Sequence, residues 1–321
     1  MFHVKHARHE TSEIFADTWN LDKNGLKMTN PRVIILCINL ERAKQGIVMY
    51  FPARTRIVEK RPEHRESEAL MAKIYALANQ KGGVGKTTTC VNLAYALQIR
   101  GKRVLVVDGD PQGNCTSGFG VDKSTEPNVY DLLLGRVSAA EAIVKTPYCD
   151  LIPTNKSLTG ASVELVNMEN REFRLKDALE GVKADYDYIL IDCPPSLELL
   201  TVNALCAAEK VIVPLQCEYF AMEGLGDLIA GIKRINKRLN QTLEIEGVVL
   251  TMYDSRLKLS EQVEAEVRKY FGNKVYETKI PRNVRIAESP SHGKPVLAYD
   301  RISRGSRAYL HLANEFLKKQ R

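Results

Sequence analysis

Residues 73–89, KIYALANQKGGVGKTTT, set a short apolar run against a glycine-rich turn, and the small and apolar residues that follow continue to about Arg100. The run Lys73–Asn79 reads as a strand, and the stretch beginning near Thr87 reads as a helix. Between them, Gly82, Gly83 and Gly85 let backbone N–H groups approach an anion without side-chain interference. A helix whose N-terminus points at the same place adds its positive dipole end. In that setting Lys86 neutralises phosphate charge and the Thr87 hydroxyl is a Mg²⁺ ligand, with Val84 and Thr88 completing the loop backbone. The strict GxxxxGK[ST] pattern requires glycine at position 80, where this chain has Gln80, and a second lysine, Lys81, opens the loop instead.

Beyond this stretch, β-branched apolar runs recur at 103–108 (RVLVVD), 151–154, 186–192 (YDYILID), 210–215 (KVIVPL), 246–251 (EGVVLT) and 275–280. Continuous rather than alternating apolar runs indicate strands buried on both faces. Helical stretches separate them at 197–208, 222–239, 259–271 and 304–319. Strands alternating with helices imply right-handed parallel crossovers. The expected fold is therefore α/β, a doubly wound, mostly parallel sheet: a P-loop NTPase with a deviant Walker A loop. Ligands on such sheets bind at the carboxyl ends of the strands.

Acidic residues stand at two of those ends. Asp192 closes YILID and is followed by Cys193-Pro194-Pro195, a position from which a carboxylate beside the loop holds a metal through water. Asp108 and Asp110 lie two residues apart in VDGDPQGN. Asp108 joins Thr87 and Asp192 as a candidate metal ligand, and Asp110 is the candidate for orienting or deprotonating an attacking water. Turn or cap carboxylates also occur at such junctions; three matching strand ends favour the nucleotide reading, with Mg²⁺ as the metal and Lys86 and Asp110 as candidate catalytic residues.

Composition narrows the remaining classes. The chain has 321 residues, 44% hydrophobic and 26% charged, an ordinary globular balance. Its net charge of +7 permits a polyanionic partner. The longest early apolar run, Val33–Leu40, is too short to span a bilayer, and the N-terminus lacks a secretory apolar region, so a cytoplasmic location is expected. Seven cysteines without a CxxC spacing read as small buried hydrophobes rather than disulfides or a thiolate metal site.

KGGVGKTTT, VDGDPQGN, YILIDCPPS, PLQCEYFAMEGL and IPRNVRIAESPSHGKPV together resemble the ParA/Soj-type chromosome-partitioning ATPases, from Met71 to about Lys319. The lysine-bearing phosphate loop is shared by the wider superfamily that includes MinD and the nitrogenase iron protein. The resemblance implies an ATP-sandwich homodimer in which Lys81 crosses to the partner's phosphates and Gly82 lies where two backbones approach. It also implies that this dimer binds double-stranded DNA non-specifically, associates with the nucleoid and is released when a ParB-like protein stimulates hydrolysis. By the same resemblance Arg256 and Arg285 contact DNA phosphates, with Lys258, Arg282 and Lys294 as additions, and Pro281 and Asn283 belong to the loop on the adenine side. No helix-turn-helix is evident, in keeping with non-specific binding.

Two other functions fit the same loop. A MinD-like membrane-associated positioning ATPase requires an amphipathic C-terminal helix, and Tyr309, Leu310, Leu312, Phe316 and Leu317 offer an apolar stripe; such stripes more often dock on their own domain. No stable membrane association is expected. An iron-protein-like reductase requires paired cluster-binding cysteines.

Residues 1–70 differ from the rest. They carry 12 Lys+Arg, 9 Asp+Glu, four of the six His and the single Trp19, with no sustained period. They are expected to be an irregular extension, disordered or lying upstream of the true start at Met71, with the ATPase domain spanning 71–321. The hexapeptide Met1–His6 can be encoded by a stretch containing TGTTTCACGTGAAACA, a palindrome that resembles a parS element, the kind of site ParB-like proteins bind.

Overall fold

The computed structural model describes residues 71–320 apart from Tyr219 and Phe220, together with five short strands upstream (Val4–Lys5, Trp19–Asp22, Gly25–Met28, Ile35–Leu36 and Val48–Tyr50). The chain divides into two compact units, Met1–Glu66 and Ser67–Arg321. In the first unit the short strands pair antiparallel, in groups of three and of two. The expectations about the start of the chain and the irregularity of its first 70 residues otherwise lie outside the described residues.

The second unit is built on seven strands: β1 (Lys73–Leu77), β2 (Val104–Asp108), β3 (Val144–Lys145), β4 (Asp150–Ile152), β5 (Tyr188–Asp192), β6 (Lys210–Gln216) and β7 (Glu244–Thr251). Their order across the sheet is β7-β6-β1-β5-β2-β4-β3. All neighbours are parallel except the two-residue edge strand β3, which runs antiparallel to β4. The longer helices are α1 (Lys86–Ile99), α2 (Leu199–Ala207), α3 (Ala221–Arg238), α4 (Lys258–Phe271) and α5 (Arg304–Lys319).

Alternation along the strands supplies two cores. Ile74, Ala76, Leu105 and Val107 pack with Leu205 of α2, Leu225 and Leu228 of α3 and Val267 of α4. Tyr75, Leu77, Val104 and Val106 pack with Leu93 and Leu97 of α1 and with Tyr309, Leu312 and Phe316 of α5. Both faces are covered, which is why the strands read as unbroken apolar runs. Cys90, Cys115, Cys149, Cys193, Cys206 and Cys217 are buried and free, as small hydrophobes.

The expected strand at 275–280 does not form. Val275 and Pro281 make only isolated bridges, to Val248 and Tyr253. The N–H groups of Glu277 and Thr278 donate to the Glu315 carboxylate of α5 at 2.7 and 2.9 Å, so these donors are diverted from the sheet ladder. The apolar character of the segment serves burial: Tyr276 is completely enclosed.

Candidate functional site

Register places the chemistry. Asp192 pairs with Leu77 on one side and with Asp108 on the other, so both carboxylates end their strands level with the last residue before the phosphate loop. The loop runs from Ala78 to Gly85. Gly85 adopts φ 85° immediately before α1, a left-handed conformation that side chains rarely take. Two long-range contacts brace the loop. Asn79 accepts from the Lys81 N–H at 3.0 Å and donates to the Pro214 carbonyl at 2.8 Å, and the Thr251 hydroxyl donates to the Val84 carbonyl at 2.8 Å.

Lys86 is 6% exposed, and its ammonium donates to the Lys81 carbonyl at 3.1 Å. Burial lowers its pKa, while the nearby Asp192, Cys193 and Asp110 oppose that shift. Lys81 points elsewhere: its ammonium pairs with Glu218 of the PLQCEYFAMEGL segment at 2.6 Å, both side chains partly exposed. Nothing lies within 4 Å of a side chain placed at Gly82.

The acids divide into satisfied and unsatisfied. Asp108 accepts from the N–H and hydroxyl of Thr116, each at 2.7 Å, and from the Asp110 N–H at 3.3 Å. Asp110 is 8% exposed and accepts from the Gln112 N–H at 3.0 Å. Asp192 is fully buried, yet neither carboxylate oxygen has a hydrogen-bond partner among the described residues. Burial and the adjacent Asp108 push its pKa well up; Thr87 and Lys86 act in the opposite direction. A buried, unsatisfied carboxylate is costly, and a divalent cation with its water shell supplies what Asp192 lacks. The donors are oxygens, from Thr87 and Asp192, which suits Mg²⁺. Among the described residues no three His, Cys, Asp or Glu side chains converge as a cage, and a Mg²⁺ ion held largely by phosphate oxygens and water needs none. Asp108, saturated by Thr116, fits the metal less well than Asp192.

A cavity of about 500 Å³ covers the loop. Gly82, Gly83, Gly85, Lys86, Thr87, Thr88 and Asp110 line it, joined by Met252 and by Ser289, Pro290 and Lys294 from the PRNVRIAESPSHGKP motif. Met252 holds φ 47° beside the loop-bracing Thr251. The motif is pinned there by a close backbone approach: a side chain on Gly293, itself at φ +60°, would come within 2.6 Å of the Gly120 Cα. Pro281 and Asn283 do not line this cavity. Pro281 borders a separate groove with Tyr253 and Arg307, and Asn283 caps the helical turn Val284–Glu288 by accepting from the Ile286 N–H.

The loop that carries Arg256 and the segment leading into the helical turn that carries Arg285 are neighbours, because the Tyr253 N–H donates to the Ile280 carbonyl at 2.9 Å. Arg256 is exposed and binds Asp254 through two N–H groups, at 2.9 and 2.6 Å. Arg285 pairs with Glu288 at 2.9 Å and Asp300 at 3.3 Å. Lys294, expected with the DNA-binding set, lines the phosphate cavity instead. Sequence reasoning does not single out Asn79, Glu218, Thr251 or Met252; the latter two precede Arg256 in TMYDSR, and Glu218 lies in a motif quoted without a role.

The apolar stripe of α5 is already used. Tyr309, Leu312, Ala313 and Phe316 are at most 1% exposed, packed into the core. No helix among the described residues is long and apolar enough to cross a membrane.

Comparison with known proteins gives consistent results. Residues 72–245 match a family model described as an AAA domain. The chromosome partitioning protein ParA of Caulobacter vibrioides is 54% identical over 254 residues, 78% of this chain and 95% of that one. The sporulation initiation inhibitor protein Soj of Bacillus subtilis is 56% identical over 248 residues, 76% of this chain and 98% of its own. Among solved structures, a cobyrinic acid a,c-diamide synthase from Mycobacterium smegmatis with bound ADP and magnesium is similar, with a TM-score of 0.69 and 38% identity. It covers 78% of this chain, and 96% of its own length is matched. The Pyrococcus furiosus cell division ATPase MinD is similar with a TM-score of 0.65 and 28% identity over 77% of this chain and 99% of its own.

Proposed function

The chain belongs to the ParA/Soj family of chromosome-partitioning ATPases, and on that basis we propose that it hydrolyses ATP with Mg²⁺ to time its attachment to DNA. The observation that carries this reading is Asp192: a fully buried carboxylate with both oxygens unsatisfied, close to Lys86 and Thr87, which themselves line the cavity over the glycine loop. In this reading the loop backbone and Lys86 hold the phosphates, and Thr87 and Asp192 hold Mg²⁺. Bound together, ATP and Mg²⁺ supply the transferable phosphoryl group and most of the charge neutralisation around it. Asp110, buried but lining the cavity, orients the attacking water. Lys81 leaves Glu218 and reaches the phosphates of a second copy, with the open space around Gly82 admitting that copy's backbone.

The dimer doubles the number of cations facing DNA, so Arg256 and Arg285 bind double-stranded DNA without sequence preference in the ATP state. A ParB-like partner triggers hydrolysis and release, so the cytoplasmic protein is nucleoid-associated in its ATP state and free after hydrolysis. The MinD-like alternative loses support because Tyr309, Leu312 and Phe316 are buried in the domain's own core and Leu310 and Leu317 pack half-buried against it. An ATPase assay with DNA and the cognate partner, added singly and together, tests the proposal. Synergistic stimulation is the expected result, and indifference to both overturns it.

A further inference from the structure

The amino-terminal end of the sheet, opposite the phosphate loop, holds a second cavity of about 730 Å³. Parallel sheets of this kind place their nucleotide at the carboxyl ends of the strands, so this cavity is independent of the site above. Four cations line it from three elements and one turn: Lys73 at the start of β1, Arg100 and Lys102 where α1 closes, and Lys318 in the last turn of α5. We propose that this cavity is a binding site for a small polyphosphate, distinct from the hydrolysed ATP.

Charge carries the proposal first. The cavity has one lining carboxylate, Asp187, which is already engaged by Arg103 through its side chain at 2.9 Å and its N–H at 2.8 Å. Among the described residues Arg100 and Lys318 form no ion pair, Lys102 forms none but lies close enough to Asp187 to lower its pKa, and the Lys73 ammonium reaches only the Gln320 side-chain oxygen, at 3.5 Å. Cations at helix C-termini are ordinary complements to the helix dipole, which accounts for Arg100 and Lys318 taken singly. It does not account for Lys73, which opens a strand, or for the convergence of all four on one concavity whose single acid is neutralised. Several phosphates on one ligand satisfy such a set, each through charge-assisted hydrogen bonds.

Shape and floor narrow the ligand. The volume falls in the range of small-molecule sites, whereas a duplex backbone rests on a surface and does not enter a recess of this size. The floor includes buried Tyr188, whose ring meets Phe316 edge-on at 5.2 Å, and half-buried Leu317. That apolar floor suits a base or other organic portion beneath the phosphates.

Calorimetric titration of the full chain carrying Lys86→Ala, which weakens binding at the phosphate loop, tests the site with inorganic tripolyphosphate and with GTP as probes. Saturable one-to-one binding is expected, with GTP tighter if the ligand is a nucleoside polyphosphate and equal affinities if it is inorganic; either supports the site. Adding Arg100→Glu and Lys102→Glu should weaken binding about a hundredfold, since two charge-assisted hydrogen bonds to phosphate are removed. Lys318→Glu, on a different helix, should weaken it about tenfold. Matching thermal unfolding among the variants confirms that they fold. Absence of saturable binding, binding indifferent to these reversals, or reversals that weaken DNA binding alone overturn the proposal. In the chain with Lys86 intact, Arg100→Glu with Lys102→Glu should keep ATP hydrolysis, so failure of this site and failure of the ATPase reading are separately visible.

Discussion

Asp192 and Lys86 are both buried charges, but they differ in what surrounds them. Lys86 already has the Lys81 carbonyl, whereas neither Asp192 oxygen has a geometrically formed hydrogen bond among the described residues, with only Thr87 and Lys86 nearby to favour its charge. A site that holds an unsatisfied group until ligand arrives gives up stability for function. Asp192→Asn should therefore leave the nucleotide-free protein at least as stable by thermal unfolding while reducing ATP hydrolysis at least about tenfold. Lys86→Ala removes a charge-assisted hydrogen bond worth roughly 1.5–3 kcal/mol, so nucleotide affinity should fall about 10- to 100-fold, read by equilibrium titration. Asp110 differs again, since its only side-chain bond within the site is to the Gln112 N–H of its own turn. Asp110→Ala should bind ATP like the parent but not hydrolyse it, and hydrolysis at the parent rate would remove its water-orienting role.

At the level of elements, what was legible in the sequence was what lies contiguous in it. The strand, glycine turn and helix of residues 73–99 sit in one stretch, and the acids of VDGDPQGN and YILID stand at strand ends that register then aligns. The strand expected at 275–280 is interrupted: Tyr276 and Ile280 still donate to β7, but the Glu277 and Thr278 N–H groups find Glu315, 38 and 37 residues away, a partner no local pattern shows. Likewise Thr251 braces Val84 from 167 residues away, and Glu218 holds Lys81 from 137. The motif around Gly293 is recognisable in the sequence, but its physical reason, the close approach to Gly120, lies far away along the chain. That approach supports a prediction: Gly293→Ala places a side chain 2.6 Å from the Gly120 Cα in a left-handed conformation. The conformational strain alone costs about 1–2 kcal/mol, which for a domain of this size lowers Tm by at least about 2–4 °C per kcal/mol. Because Ser289, Pro290 and Lys294 line the phosphate cavity, nucleotide affinity should fall as well, whereas the same substitution at Gly181, where nothing lies within 4 Å, should leave it unchanged.

For the whole molecule, the proposed binding to DNA would be an exchange of partners. Arg256 is held by Asp254, and Arg285 by Glu288 and Asp300, so each guanidinium would trade carboxylates for phosphates. Exposed ion pairs of this kind contribute about 0–1 kcal/mol, and the exchange is correspondingly cheap. Counterion release from DNA then favours the phosphate, with a log–log salt slope of about 0.9 per neutralised phosphate. One chain offers few such cations and the proposed ATP-state dimer twice as many, so on that proposal DNA affinity would depend on the nucleotide. Arg256→Ala or Arg285→Ala should weaken binding equally on unrelated DNA sequences. Each phosphate left without its arginine should lower the slope by about one, and so by about two per dimer. ATP-dependent dimerisation, followed by sedimentation, should be retained. A variant with an unchanged salt slope would show that its arginine does not touch DNA, and one that no longer dimerises would place that arginine between the two copies instead.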